Sequence, residues 1–190
     1  ELTPQGIVND RLNNSTTIFT INNDVDVIGE FYLSLIITQT TTAIASLIPT
    51  QIGTANIINK IEVLIGSQVW QTLTPGTLAA TAALLQPHLV TAFENPRRVT
   101  SHSYDINLPL TGMFVNTTMP LDSNFSDQRN NGYLMAAAPN QEMHIKIYWA
   151  SGKNINWQQL NPPSELNYDF TRCRLLFKHT SLSNFERSHI

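Results

Sequence analysis

His88, His102, His144, His179 and His189 are the side chains best suited to hold a metal or move a proton near neutral pH. No two of them form an HxH or HExxH spacing, which would set both rings on one side of a strand or helix. His102 and His144 fall on expected strands and could meet in space, but no third ligand accompanies them, so a structural role is favoured for each. Nucleophilic chemistry has no anchor: there is no GxSxG, and Cys173, the single cysteine, has no His beside it. One cysteine also excludes an intrachain disulfide and a Cys-based zinc site, and within an expected strand it reads as a small buried hydrophobe. The glycines never fall into a GxGxxG or Walker loop that would cradle phosphates. Glu30, Glu62 and Glu142 are spread singly along expected strands, so only the fold could bring a glycosidase pair together. The expectation is a protein without catalysis, cofactor or metal.

Two binding chemistries are open. Trp70, Trp149 and Trp157 could form a sugar-stacking platform, although Trp149 shares its strand face with three apolar residues and so reads as core. Arg97-Arg98 after Asn95-Pro96 is a small basic spot, read most simply as a solvated turn. A net charge of −3 and a pI near 5.9 argue against gripping nucleic acid. Asn-x-Ser/Thr sequons at Asn13, Asn14, Asn116 and Asn124 are expected by chance in a chain this rich in Asn and Thr.

The 190 residues suffice for one core, and one domain is the default. Only 13% are charged, against a usual share of about a quarter. Uncharged polar residues take their place, which suits a surface that packs against neighbours because few charges need desolvating. A biased genome composition accounts for the low charge equally well. No apolar run reaches the roughly eighteen residues of a membrane span. Glu1 in place of Met implies that the natural start is cleaved or lies upstream.

Alternation supplies the elements. Thr16–Asn22 reads as a strand, Asn23-Asp24 as its turn, and Val25–Thr38 as a long strand with Phe31, Leu33, Leu35 and Ile37 on one face. Residues 39–56 read as a long loop. From Ile57 to Ile65, Ile61, Val63 and Ile65 alternate with Lys60, Glu62 and Leu64. Gly66-Ser67 then suits a type II′ hairpin, and Gln68-Val69-Trp70 begins the return strand. Thr74-Pro75 is an N-cap and first helical residue, opening an Ala- and Leu-rich helix to Leu85. Val99–Leu108 reads as one strand ended by Pro109, and residues 111–139 as irregular with a short element near Tyr133–Ala137. In Gln141–Trp149, Met143, Ile145, Ile147 and Trp149 alternate with Glu142, His144, Lys146 and Tyr148. Tyr168–Lys178 is the last strand. About six to eight strands with loops of unequal length and one helix argue for an all-β, antiparallel jelly-roll sandwich. The expected divisions are an arm at 1–15, a jelly roll at 16–180 and an exit segment at 181–190.

In this order the stretches resemble the first jelly roll of the double-jelly-roll major capsid proteins of large DNA viruses and their relatives. TIFTINNDVDVIGEFYLSLII resembles the family's opening turn and long strand, and IINKIEVLIGSQVWQTLTPGTL its IxxxExxIGGQ strand, turn and helix. NLPLTGMF with YLMAAAPNQEMHIKIYW is similar to its apolar loop and NQEVxIxI strand, and CRLLFKHTSLSNFERSHI to its last strand and exit. Ser67 departs from a common second glycine, Asn184-Phe185-Glu186-Arg187 from a more acidic exit, and only one jelly roll is present. The chain thus reads as half of a major capsid protein, a single-jelly-roll subunit or a vertex (penton) protein, the first being preferred from the exit.

The resemblance implies shell formation without catalysis or cofactor, strands roughly perpendicular to the capsid surface, and three subunits in a pseudo-hexagonal capsomer. It implies a virion location after assembly inside the host cell. Partners would be copies of itself and other capsid proteins, with no direct nucleic acid and no transmembrane segment. Candidate assembly residues are Thr74, Pro75, Thr77, Leu78 and Gln86 around the helix, Met113, Phe114 and Phe125 in the loop Gly112–Asn131, and Arg97 and Arg98. The rivals are a carbohydrate- or receptor-binding sandwich, which requires exposed coplanar tryptophans, and a hydrolase on a jelly-roll scaffold, which requires converging carboxylates or histidines.

Overall fold

The computed structural model describes residues 15–22, 25–39, 53–85, 97–100, 103–110, 132–135, 141–150 and 168–188. In chain order these hold β1 (Thr16–Ile21), β2 (Val27–Gln39), a 3-10 turn at Gly53–Ile57, β3 (Ile58–Ile65), β4 (Gln68–Leu73) and helix α1 (Pro75–Leu85). They continue with β5 (Arg97–Thr100), β6 (Ser103–Pro109), β7 (Gly132–Leu134), β8 (Met143–Trp149), β9 (Tyr168–Thr180) and the four-residue helix α2 (Asn184–Arg187).

Every pairing among these strands is antiparallel, and they form two sheets. Sheet one runs β1-β8-β3-β4. Sheet two runs β5-β6-β2-β9, with β7 against the start of β2 on the edge that β6 occupies farther along. The chain changes sheet between β1 and β2, β2 and β3, β4 and β5, β7 and β8, and β8 and β9. Each sheet thereby receives strands distant in sequence, and β8 slots between β1 and β3. Such interleaving is the jelly-roll form of the Greek key.

The core lies between the sheets. Phe19 and Ile21 of β1, Ile61 and Val63 of β3, and Met143, Ile145, Ile147 and Trp149 of β8 are fully or almost fully buried from one side. Phe31, Leu33 and Leu35 of β2, Ile106 and Leu108 of β6, and Cys173 and Leu175 of β9 meet them from the other. Trp149 is core, as its alternation predicts, and its indole N–H donates to the buried Thr17 hydroxyl at 2.8 Å, which removes the penalty of a dry donor. Cys173 is buried, and burial pushes its thiol up to about 12, the behaviour of an inert hydrophobe.

The hairpin at Gly66-Ser67 has the expected form: Ile65 pairs with Gln68, and φ is positive (58°) at Gly66 alone of the two, as in a type II′ turn. Elsewhere two expectations need correction. Val99–Leu108 is two paired strands, β5 and β6, because the chain reverses between Thr100 and Ser103, whose ends face each other across the ladder. Arg97 and Arg98 consequently lie on β5 rather than in a turn, opposite Asp105 and Tyr104. The helix at 75–85 is joined by a second, α2, in the exit segment. The arm at 1–14 and most of the loops 39–56 and 111–139 lie outside the described residues.

Candidate assembly surfaces

The outer face of sheet one is built by the same alternation that fills the core. β8 lies beside β3 with Lys146 opposite Glu62, Tyr148 opposite Lys60 and His144 opposite Leu64. Lys60 Nζ donates to Glu62 Oε1 at 2.6 Å, and the Tyr148 hydroxyl donates to Oε2 at 2.8 Å. The Lys60 and Lys146 ammonium groups stand 4.3 and 4.9 Å from the Tyr148 ring centre. These donors, Lys60 first and Tyr148 second, hold the Glu62 carboxyl below its usual range, and the carboxylate raises Lys60 in return. A carboxylate saturated in this way has no proton to give and accepts none readily. The Lys60–Glu62 pair is therefore fixed, with Lys146 adding a second positive charge beside it, and the carboxylate is unsuited to acid–base work. Toward β1, the Thr20 hydroxyl and His144 Nδ1 are 3.0 Å apart, and His144 Nε2 is 3.7 Å from Glu142.

The rim beside this face exposes an apolar pair between polar residues. Val69 and Trp70 of β4 are 53% and 39% exposed where an exposed strand would ordinarily be polar. Trp70 meets Tyr133 of β7 edge-to-face at 5.2 Å, so the two sheets are joined there by an aromatic pair. Trp149 is buried, so Trp70 and Trp149 cannot share an exposed platform; Trp157 lies outside the described residues.

The start of α1 closes on itself. The Thr77 amide donates to Thr74 Oγ1 and the Thr74 amide to Thr77 Oγ1, both at 3.2 Å, and the two hydroxyls are 2.6 Å apart. This is a capping box with threonine where glutamate or glutamine is usual. Thr74 and Thr77 are exposed and Pro75 is half-buried, so these three expected residues do lie at the surface. Leu78 does not. It is fully buried, because α1 packs this side against β3 and the 3-10 turn, and its side chain serves the core. Gln86, Met113, Phe114 and Phe125 lie outside the described residues.

One arrangement had no clear mark in the sequence. Asp26, buried just before β2, accepts from the Leu182 amide and from Arg187 Nη2, both at 2.7 Å. Arg187 first, and the Leu182 amide second, lower the Asp26 carboxyl below its ordinary range. The exit segment is thus fastened to the entry of the long strand, with Phe185 of α2 left 74% exposed. On sheet two, Arg172 Nη2 donates to Ser34 and Asp105, each at 3.1 Å. Among the described residues no three His, Cys, Asp or Glu side chains converge as metal ligands would, and no helix is long and apolar enough to cross a membrane.

No protein-family model and no curated protein matches the sequence. Solved structures do match the fold. VP54 of PBCV-1, in a crystal structure fitted into a cryo-EM reconstruction of the virophage Sputnik, superposes with a TM-score of 0.66 at 13% identity, covering 99% of this chain and 42% of VP54. A quasi-atomic model of the PBCV-1 virus capsid superposes with a TM-score of 0.61 at 14% identity, again over 99% and 42% of the two chains. The chain thus spans less than half the length of these neighbours. Its fold is the antiparallel jelly-roll sandwich found in these viral capsid structures.

Proposed function

We propose that the chain is a structural capsid protein, a jelly-roll unit that assembles with copies of itself and other capsid proteins into capsomers of an icosahedral shell. The observation that carries this reading is the superposition of 99% of the chain, at a TM-score of 0.66, on a part of the VP54 chain. The surface chemistry supports it: Glu62 on the outer face of sheet one is held by Lys60 and Tyr148, and the neighbouring rim exposes Val69 and Trp70. The role is one of packing, without catalysis, in the virion after assembly in the host cell. The exposed Thr74 and Thr77 and the half-buried Pro75 are retained as lateral contacts, and Gln86, Met113, Phe114, Phe125, Arg97 and Arg98 remain candidates on the resemblance.

Solution mass by light scattering behind size exclusion tests the reading. A trimer or a larger closed assembly is the expected result. A chain that stays monomeric at every concentration while binding glycans saturably on an array would overturn it in favour of a binding module.

A further inference from the structure

Sheet edges offer unpaired backbone N–H and C=O groups, and proteins ordinarily guard them with charge, proline, brevity or a bulge. The edges among the described residues differ sharply in this respect. β5 has four residues, two of them Arg97 and Arg98, and β7 has three. β9 has two register shifts against β2 and carries Asp169, Arg172, Arg174 and Lys178. β4 is bulged against β3. β1 has none of these guards. Its sequence TTIFTI holds no charge, proline or glycine, and it pairs with β8 without a break from Thr16 to Ile21.

The ladder fixes which groups of β1 face outward. The Trp149 amide donates to the Ser15 carbonyl at 2.9 Å, so Ser15 and, by alternation, Thr17, Phe19 and Ile21 turn their backbone groups to β8. Thr16, Ile18 and Thr20 present theirs at the open edge, where nothing among the described residues meets them. The side chain of Ile18, on the solvent face, is 37% exposed.

We propose that this edge binds the same edge of a second copy, β1 against β1 across a two-fold axis, joining two copies of sheet one into a continuous sheet. The pattern is self-complementary. With Ile18 opposite Ile18 of the other copy and Thr16 opposite Thr20, all three outward-facing residues pair at once, giving about six N–H···O bonds. A shift of two residues either way leaves part of this set unmatched. The pairing also covers the exposed Ile18 side chain with its own equivalent. The nearest charges beside the axis, the two Lys146 residues opposite Ile18 on β8, would stand three strand spacings apart, about 14 Å, beyond the screening length at physiological salt. This deepens the self-assembly reading by naming a contact that joins one assembled unit to the next, since a two-fold contact does not fit within a three-fold one.

Cysteine cross-linking on the whole chain tests it, since the native Cys173 is buried and a thiol introduced at position 18 would be the accessible one. With diamide as oxidant, Ile18→Cys is expected to form covalent dimer at least about tenfold faster than Thr20→Cys, whose two thiols would lie some four residues out of register. Ile18→Lys, which sets two like charges on the axis, is expected to lower the assembled fraction in light scattering, whereas Ile18→Thr retains it. An unchanged melting temperature shows that Ile18→Lys is folded; if that variant fails to fold, the cross-linking rates decide. Assembly in which Ile18→Cys cross-links no faster than Thr20→Cys, or in which Ile18→Lys assembles like the parent, overturns the edge contact and leaves self-assembly standing. A parent chain that is monomeric at every concentration overturns the edge contact, and one that also binds glycans saturably overturns the self-assembly reading as well.

Discussion

Sheet one and sheet two face the same core but reach it by different backbones. β1 and β8 pair in one unbroken register, with one face in the core and the other in water. In sheet two the thirteen-residue β2 slips twice against β9, and Glu30 at the first slip takes a left-handed φ of 46°. Its outward side is also partly covered: Ser34 is buried, and Tyr32 is half-buried with its phenol pushed up, first by desolvation and then by Glu30. The β1–β8 pair, wetted on one side, is held by alternation alone. A long strand hemmed in on both sides needs bulges to keep its residues in place, and these carry local strain.

That contrast can be broken or sharpened by experiment. Trp149→Ala removes the largest core side chain of sheet one and strands the Thr17 hydroxyl, so a loss of about 3–5 kcal/mol is expected in denaturant unfolding. A loss below that of Leu33→Ala on β2 would mean that sheet two, despite its slips, holds the tighter half of the core. Glu30→Gly should raise stability by roughly 1 kcal/mol, because glycine accepts the left-handed backbone and the ion pair it loses to Lys178 is exposed and 3.7 Å long. A drop in melting temperature would show that the bulge is unstrained. Glu62→Gln, on the outer face of sheet one, should cost under about 1 kcal/mol, since its partner Lys60 is substantially exposed.

The smallest global effect is expected at Asp26, where the readout is local. Its carboxyl is lowered in the folded chain, so the stabilisation is fully present above the ordinary value of 3.8 and fades as pH falls through the lower folded value. Protection of the Leu182 amide, its exchange rate relative to the intrinsic rate at the same pH, should therefore be high at neutral pH and fall in strong acid, and Asp26→Ala should remove it throughout. Protection that persists in Asp26→Ala would show that the exit segment is held by something other than this carboxylate.

The same contrast explains what is legible in the sequence. β3 and β8 can be read there because one face is wet and polar residues mark every second position. The hairpin and the helix start can be read because Gly66, Thr74 and Pro75 each have a local conformational reason to be there. The reversal between β5 and β6 carries no comparable mark: Ser101-His102 is not a turn pair like Asn-Gly, and the β-branched Val99 and Thr100 lead straight into it. Leu78 reads wrongly as surface because an Ala- and Leu-rich helix has no polar stripe to show which side faces inward. The Asp26–Arg187 contact joins residues 161 apart in the chain, and no spacing rule could reveal it.

The place of β8 between β1 and β3 has a consequence for synthesis. The bonds that seat it, Thr20 to His144 and Thr17 to Trp149, span 124 and 132 residues. At ribosomal speeds β1 leaves the exit tunnel on the order of ten seconds before its neighbour exists. Through that interval a strand of uncharged, largely β-branched residues has both edges open. How fast the chain matures is then governed by how well this one segment is shielded while it waits.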